Sequence, residues 1–198
     1  MAKLGLTAMA VVVVAMALAL VAMAAQLTRA EADDPKKVDK WFNRLSHAER
    51  KTTRLHFYFH DTISGKSLTA VRIAEATMTK KSPTLFGVVN MMDDPLTEGP
   101  KAESPLVGRA QGFYGSARLE SLSLLMTMNL IFTSPKYNGS TLSIMGHNPA
   151  YETYREMPIV GGTGFFRLAS GIAMAKTYFL NLTTFDAVVE YNVIVTHY

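Results

Sequence analysis

Hydrophobic and polar positions along this chain follow three rhythms. In the first 26 residues, "MAKLGLTAMAVVVVAMALALVAMAAQ", Lys3 precedes an apolar run from Thr7 to Ala25 that ends in small residues. A charged head, an apolar centre and small residues such as Ala22 and Ala24 form the pattern of a secretory signal peptide, here over residues 1–24. The run is also long enough to span a bilayer, so a retained membrane anchor is the competing reading.

The second rhythm is helical. In "EADDPKKVDKWFNRLSHAER", Val38, Trp41, Phe42 and Leu45 recur at helical spacing, with Asp33 or Asp34 as cap and Pro35 at the first helical position. Residues 25–53 are therefore expected to form one short amphipathic helix or a loosely held arm.

From Arg54 onward the rhythm shortens to that of strands. Runs rich in aromatic and β-branched residues occupy 54–63, 71–79, 85–91, 105–117, 121–133, 140–146, 164–178 and 187–197, separated by turn-forming stretches such as "SGKS", "TEGP" and "SPKYNGS". Seven or eight short strands suit a closed antiparallel barrel or a sandwich. In the fifth run, Leu124, Met126, Met128, Leu130 and Phe132 share one face, while Ser123, Thr127, Asn129 and Thr133 share the other. Leu125 and Ile131 break that alternation, which suggests partial cover on both faces, as in a barrel buried within an oligomer.

Composition narrows the picture. With 198 residues, 48% hydrophobic and 18% charged, the chain can bury a single core, and residues 54–198 form the expected domain. The formal net charge of +4, reduced by one when Lys3 leaves with the leader, is too small to indicate a nucleic-acid partner. There are no cysteines, which removes disulfides, thiol catalysis and thiolate metal sites. Two glycosylation acceptors, Asn138-Gly139-Ser140 and Asn181-Leu182-Thr183, fit export.

Candidate chemistry is sparse. In "MPIVGGTGFFRLASGIA" the glycines resemble a phosphate loop, but no Gly-x-Gly-x-x-Gly enters a helix and no Lys-Ser/Thr follows. A bend or bulge is the better reading. His56 and His60 are four residues apart on a strand, which separates them by about 13 Å, too far to share a metal ion. No metal and no cofactor are expected. Nothing resembles a nucleophile elbow either.

Asp61 shares strand parity with Leu55, Phe57 and Phe59, so if that face is interior a carboxylate ends an apolar wall, where desolvation would raise its pKa. A strand-end aspartate bonding turn amides is the alternative. Asp93 and Asp94, before Pro95, read first as turn formers. In "VGRAQGFYGSARLE", Arg109, Gln111 and Phe113 fall on one parity, and Gly108, Ala110, Gly112 and Tyr114 on the other; small residues beside Tyr114 leave room for a flat ligand, although a tyrosine packed between small neighbours is the commoner arrangement.

Taken in order, "FYFHD" (57–61), "DDPLTEGP" (93–100), "GRAQGFY" (108–114), "YNGSTL" (137–142), "REMPIVGGTGFFRLASG" (155–171) and "VEYNVIVTHY" (189–198) resemble the dirigent proteins, a secreted plant family, across residues 54–198. The resemblance implies an eight-stranded antiparallel β-barrel assembled as a homotrimer and exported to the apoplast, with no membrane association after leader cleavage. It also implies a pocket for phenoxy radicals or quinone methides derived from monolignols such as coniferyl alcohol, whose coupling the barrel steers to one stereoisomer. Oxidation is left to a separate laccase or peroxidase.

By the same resemblance Asp61 and Tyr114 are the expected catalytic residues, and Phe57, Phe59, Asp94, Arg109 and Phe165 line the substrate site. Lignan-forming members commonly read "GGTGDFFMARG", with a pocket aspartate and an arginine where this chain has Phe165 and Ser170. The resemblance therefore implies that "GGTG" aims an apolar ring, rather than an acid, at the pocket. Three functions follow: a stereodirecting auxiliary, which is favoured; a cyclase or dehydratase acting on a quinone methide or isoflavonoid alcohol; and a non-catalytic barrel that carries a phenolic.

Overall fold

Among the described residues, nine strands arise where apolar side chains alternate with small or polar ones. They are β1 (Lys51–Asp61), β2 (Ala70–Ala74), β3 (Val89–Thr97), β4 (Leu106–Ser116), β5 (Leu124–Phe132), β6 (Thr141–Asn148), β7 (Arg155–Thr163), β8 (Ser170–Leu180) and β9 (Ala187–His197). The computed structural model describes residues 34–198, so the expected leader (1–24) and residues 25–33 of the expected arm lie outside the described residues.

Each strand pairs antiparallel with the next in the order β1-β9-β8-β7-β6-β5-β4-β3, and Tyr58↔Thr97 and Phe59↔Leu96 close β1 onto β3. The result is an eight-stranded antiparallel barrel, with β2 attached to β3 as an extra strand. Closure leaves one interior face, filled by Phe57, Leu96, Ala110, Met128, Leu130, Leu142, Ile144, Met157 and Val193. Burying each large side chain contributes about 1.5–3 kcal/mol, which is how a barrel without disulfides is held together. On β5, Met126, Met128, Leu130 and Phe132 are buried as their alternation requires, and Leu125 faces outward.

Two stretches depart from the sequence expectation, both around prolines. "DDP" is not a turn: Asp93, Asp94 and Pro95 lie inside β3. β2 pairs with β3 as far as Met92, with Asp93 N donating to Thr69 O, and β1 takes over at Leu96. Pro95 sits in the handover between those neighbours, where the amide it lacks has no ladder partner to miss. Likewise "REMPIVGGT" is strand β7, which its proline and glycines disguise.

The glycine cluster is mechanical, as expected. Gly161 to Thr163 end β7 against β6, and a Cβ on Gly162 would meet Phe166 O at 2.5 Å and Thr141 O at 2.7 Å. Gly164 then takes φ 61 to open a 3₁₀ turn over Gly164–Phe166. Phe166 is fully buried in the floor of the barrel with Phe132 and Tyr137.

Ahead of the barrel, α1 (Pro35–Phe42) buries none of its side chains. The Arg167 guanidinium lies 4.8 Å from the centre of the Trp41 ring, a cation–π contact between the helix and the turn before β8. No helix among the described residues is long and apolar enough to cross a membrane.

Candidate functional site

The barrel is open at the end where β1 finishes, and a cavity of about 510 Å³ enters it there. That volume suits a small organic ligand. Its wall is mostly apolar, with Ile63, Leu85, Val88, Leu124, Met126, Leu180 and Val189 prominent, while Phe59 and Tyr191 supply rings. Tyr191 stacks on Phe57, centroids 5.6 Å apart, so Phe57 supports the cavity ring from below without lining it.

Asp61 ends β1 on the interior parity, as the sequence predicts, and lines this cavity. Tyr114 on β4 reaches the same point and donates its hydroxyl to Asp61 Oδ2 at 2.7 Å. The other oxygen, Oδ1, is buried without a partner. Burial pushes the Asp61 carboxyl up to about 6; the Tyr114 hydrogen bond opposes this and the charge of Asp186 adds to it. Burial, with the neighbouring Asp61 charge, also raises the Tyr114 phenol far above its ordinary value, so Tyr114 stays protonated and acts as a donor.

Behind this pair lies Asp94, 0% exposed, with neither carboxylate oxygen hydrogen-bonded. It shares the inward parity of Asn90 and Met92 on β3 but does not line the cavity. Burial and then the Asp61 charge push its carboxyl up to about 8, so near neutral pH it is an un-ionised acid.

A second polar group comes from the other side of the barrel. Arg155 opens β7 facing inward, donating Nε to Asn148 Oδ1 at 3.0 Å and one terminal nitrogen to Thr177 Oγ1 at 2.8 Å and Glu152 O at 3.2 Å. Arg155, Asn148 and Thr177 all line the cavity. Among the described residues no carboxylate pairs with this buried guanidinium, and burial lowers its pKa from the ordinary value. The cavity wall thus carries a carboxylate with one unpartnered oxygen and a cation among apolar side chains, which is equipment for orienting an oxygen-bearing aromatic and moving its proton.

This arrangement of strands and interior polar groups can be set beside known proteins. The family model described as "Dirigent-like protein" matches residues 52–196. The chain belongs to the dirigent family.

Dirigent protein 23 of Arabidopsis thaliana is 52% identical over 81% of this chain and 87% of that protein. Pterocarpan synthase 1 of Glycyrrhiza echinata is 49% identical over 78% of this chain and 82% of its own length. Among solved structures, the pterocarpan synthase dirigent protein GePTS1 superposes with a TM-score of 0.72 at 50% identity, covering 76% of this chain and 87% of that one.

Within this dirigent barrel the expected site residues separate into groups. Asp61, Tyr114 and Phe59 line one cavity; Phe57 and Asp94 are buried against it. Arg109 is elsewhere: it faces outward on β4 and its Nε donates to Asp93 Oδ1 at 2.6 Å. Parity explains this, because Ala110 and Tyr114 take the inward positions.

Phe165 corrects a second expectation. It is 42% exposed and packs on Tyr137 and His197 at ring distances of 5.0 and 4.9 Å. His197 pairs with Lys51, at the opposite end of β1 from Asp61, about 30 Å away along the strand. Ser170 lies at that far end too, bonded to Arg50. The position after "GGTG" therefore does not aim into the cavity, and Phe165 deprives it of no acid.

Asn138 is exposed in the turn before β6, and Asn181 is half-buried in the turn after β8. Arg155 and Asn148 lie outside the strand runs that the sequence predicts: Asn148 ends β6 two residues past the expected 140–146, and Arg155 begins β7, which no expected run covers. Once β7 is recognised, the signal is plain: Arg155 shares parity with the buried Met157 and Ile159.

Proposed function

We propose that this dirigent barrel binds a planar phenolic intermediate of the quinone methide class and directs which of its faces is attacked. The observation that carries the reading is the Asp61 carboxylate on the wall of an apolar cavity, with Oδ2 held by Tyr114 and Oδ1 buried without a hydrogen-bond partner. A group that titrates near 6 is suited to passing a proton in both directions close to neutrality.

In the step envisaged, a substrate hydroxyl adds to the exocyclic carbon of the quinone methide and forms a C–O bond. Its proton passes to the Asp61 carboxylate. The quinone carbonyl oxygen takes up the electron pair, is stabilised as a phenolate by Arg155 and regains a proton from solvent, while Asp61 releases to solvent the proton it accepted, which restores the carboxylate. Nothing is oxidised or reduced. Because the ring lies between fixed walls, one face meets the nucleophile, and an orientation preference of about 1.4 kcal/mol already gives a tenfold bias.

Such an intermediate has two sources. Phenoxy radicals made from coniferyl alcohol by a laccase or peroxidase couple to quinone methides; an isoflavonoid alcohol reaches one by losing water. The similarity to pterocarpan synthase 1 supports the second source. In this reading the protein acts outside the cell after leader removal, without a cofactor, as a homotrimer carrying glycans at Asn138 and Asn181.

The test has two arms: coniferyl alcohol with a laccase, and a racemic isoflavonoid alcohol without oxidant, each followed by chiral chromatography. An enantiomeric excess that grows with protein concentration in either arm supports the reading and identifies the source. Racemic product at the protein-free rate in both arms overturns it.

A further inference from the structure

The rim of the cavity is built from two loops far apart in sequence. One joins β1 to β2 and contributes Ile63 and Leu68; the other joins β8 to β9 and contributes Phe185. Asp186, the last residue before β9, ties them together. Its Oδ1 accepts the backbone amides of Ile63 at 2.9 Å and Ser64 at 3.0 Å, and its Oδ2 accepts the Ser64 hydroxyl at 2.5 Å and the Thr184 hydroxyl at 2.8 Å.

Several features indicate that this carboxylate is placed for the loops. Partial burial raises its pKa, but the hydrogen bonds from Ser64, Thr184 and the Ile63 and Ser64 amides outweigh that and hold it below the ordinary carboxylate value. Phe185 beside it takes φ 62, a conformation that favours glycine, and its amide donates to Asn181 O at 2.7 Å. An aromatic ring is thus held in a strained backbone at the mouth, and it stays there only because the surrounding turn over-determines it. Asn181 Oδ1 completes that turn by accepting the amides of Thr183 and Thr184.

We propose that Asp186 is a positioning residue that clasps the two rim loops into one rigid frame, and thereby sets both how long a ligand stays and how strictly its face is selected. The selectivity part rests on the proposed phenolic function; the clasp itself does not. Charge-assisted hydrogen bonds are the stronger class, so a single carboxylate can hold four donors from two loops. A neutral side chain holds fewer.

The experiment compares the full chain with Asp186→Asn, Asp186→Ala and Ser64→Ala. Three readouts are taken: amide hydrogen exchange at Ile63 and Ser64, the release rate of the apolar dye 1-anilinonaphthalene-8-sulfonate, and enantiomeric excess in whichever arm of the preceding test is active. In Asp186→Ala, exchange at the two amides rises at least tenfold while that of Met128 in β5 is unchanged, and dye release accelerates several-fold. Asp186→Asn and Ser64→Ala fall between Asp186→Ala and the parent chain. Enantiomeric excess drops in the same order.

Unchanged exchange at Ile63 and Ser64 overturns the clasp. Faster exchange with unaltered dye release overturns its role at the cavity, leaving Asp186 a purely structural residue. If the parent chain proves unselective in both arms, the phenolic reading fails, and the clasp is judged by exchange and dye release alone.

Discussion

Tyr114 and Asp61, on strands β4 and β1, meet across a 2.7 Å hydrogen bond that leaves the second oxygen of Asp61 buried without a partner. The tyrosine favours the ionised carboxylate, so its removal has a defined sign. In Tyr114→Phe the Asp61 carboxyl, already near 6, titrates at still higher pH. A profile of selectivity or turnover that depends on the carboxylate shifts to the alkaline side; a shift to the acid side would refute the assignment.

Asp61→Asn removes the proton acceptor while keeping size and polarity. Ring closure slows by about 10²–10⁴-fold, the usual worth of a general acid or base, while ligand affinity changes only a few-fold. Stopped-flow rates and calorimetric titration separate the two quantities. Equal losses in both would assign Asp61 to binding alone.

Arg155→Met removes the cavity cation and leaves Asn148 Oδ1 and Glu152 O without their donor. Affinity for a phenol that ionises in the cavity falls tenfold or more, about 1.4 kcal/mol, whereas affinity for its O-methyl ether is retained. Titrating both ligands into both proteins decides the matter, and circular dichroism checks that the barrel is intact.

Asp94 gives a stability prediction. Its folded-state carboxyl titrates at about 8, against about 3.9 for a free aspartate, so the folded protein holds a proton that the unfolded chain releases. The associated stability is fully present below about pH 4 and is lost as pH rises through 8. Asp94→Asn removes most of this slope, with a gain at pH 8 of about 2 kcal/mol or more and none at pH 4. Urea unfolding at the two pH values measures it; parallel pH dependence in parent and variant would show that Asp94 is not the group responsible.

Phe165→Asp places an acid at the far end of the barrel from Asp61. Selectivity is unchanged, and loss of the ring contacts with Tyr137 and His197 lowers stability by about 1–2 kcal/mol. A gain in selectivity would mean that the turn at Gly164–Phe166 reaches the cavity after all.

The sequence was legible where strand parity is clean. β1 predicts that Phe57, Phe59 and Asp61 face inward, and β4 separates Tyr114 from Arg109 by the same rule. It misled where proline and glycine interrupt strands. Pro95 hid the second half of β3, and Pro158 with Gly161 and Gly162 hid β7, and with it the inward position of Arg155. No local pattern reports that a neighbouring strand stops pairing at the residue where a proline stands, since that depends on β1 and β2 meeting β3 from elsewhere in the chain. The far-end placement of Phe165 is likewise a matter of topology.

That handover on β3 also divides the sheet into a closed ring and a strand appended to it. The ring closes through β1 and β3 alone, whereas β2 leans on one neighbour and still supplies Ala70, Val71 and Arg72 to the cavity wall. Substitutions in β2 and its flanking loops can therefore reshape the mouth while the hoop of eight strands keeps its register. Grafting β2 with its loops from another dirigent barrel is therefore a direct way to alter the cavity mouth without rebuilding the ring.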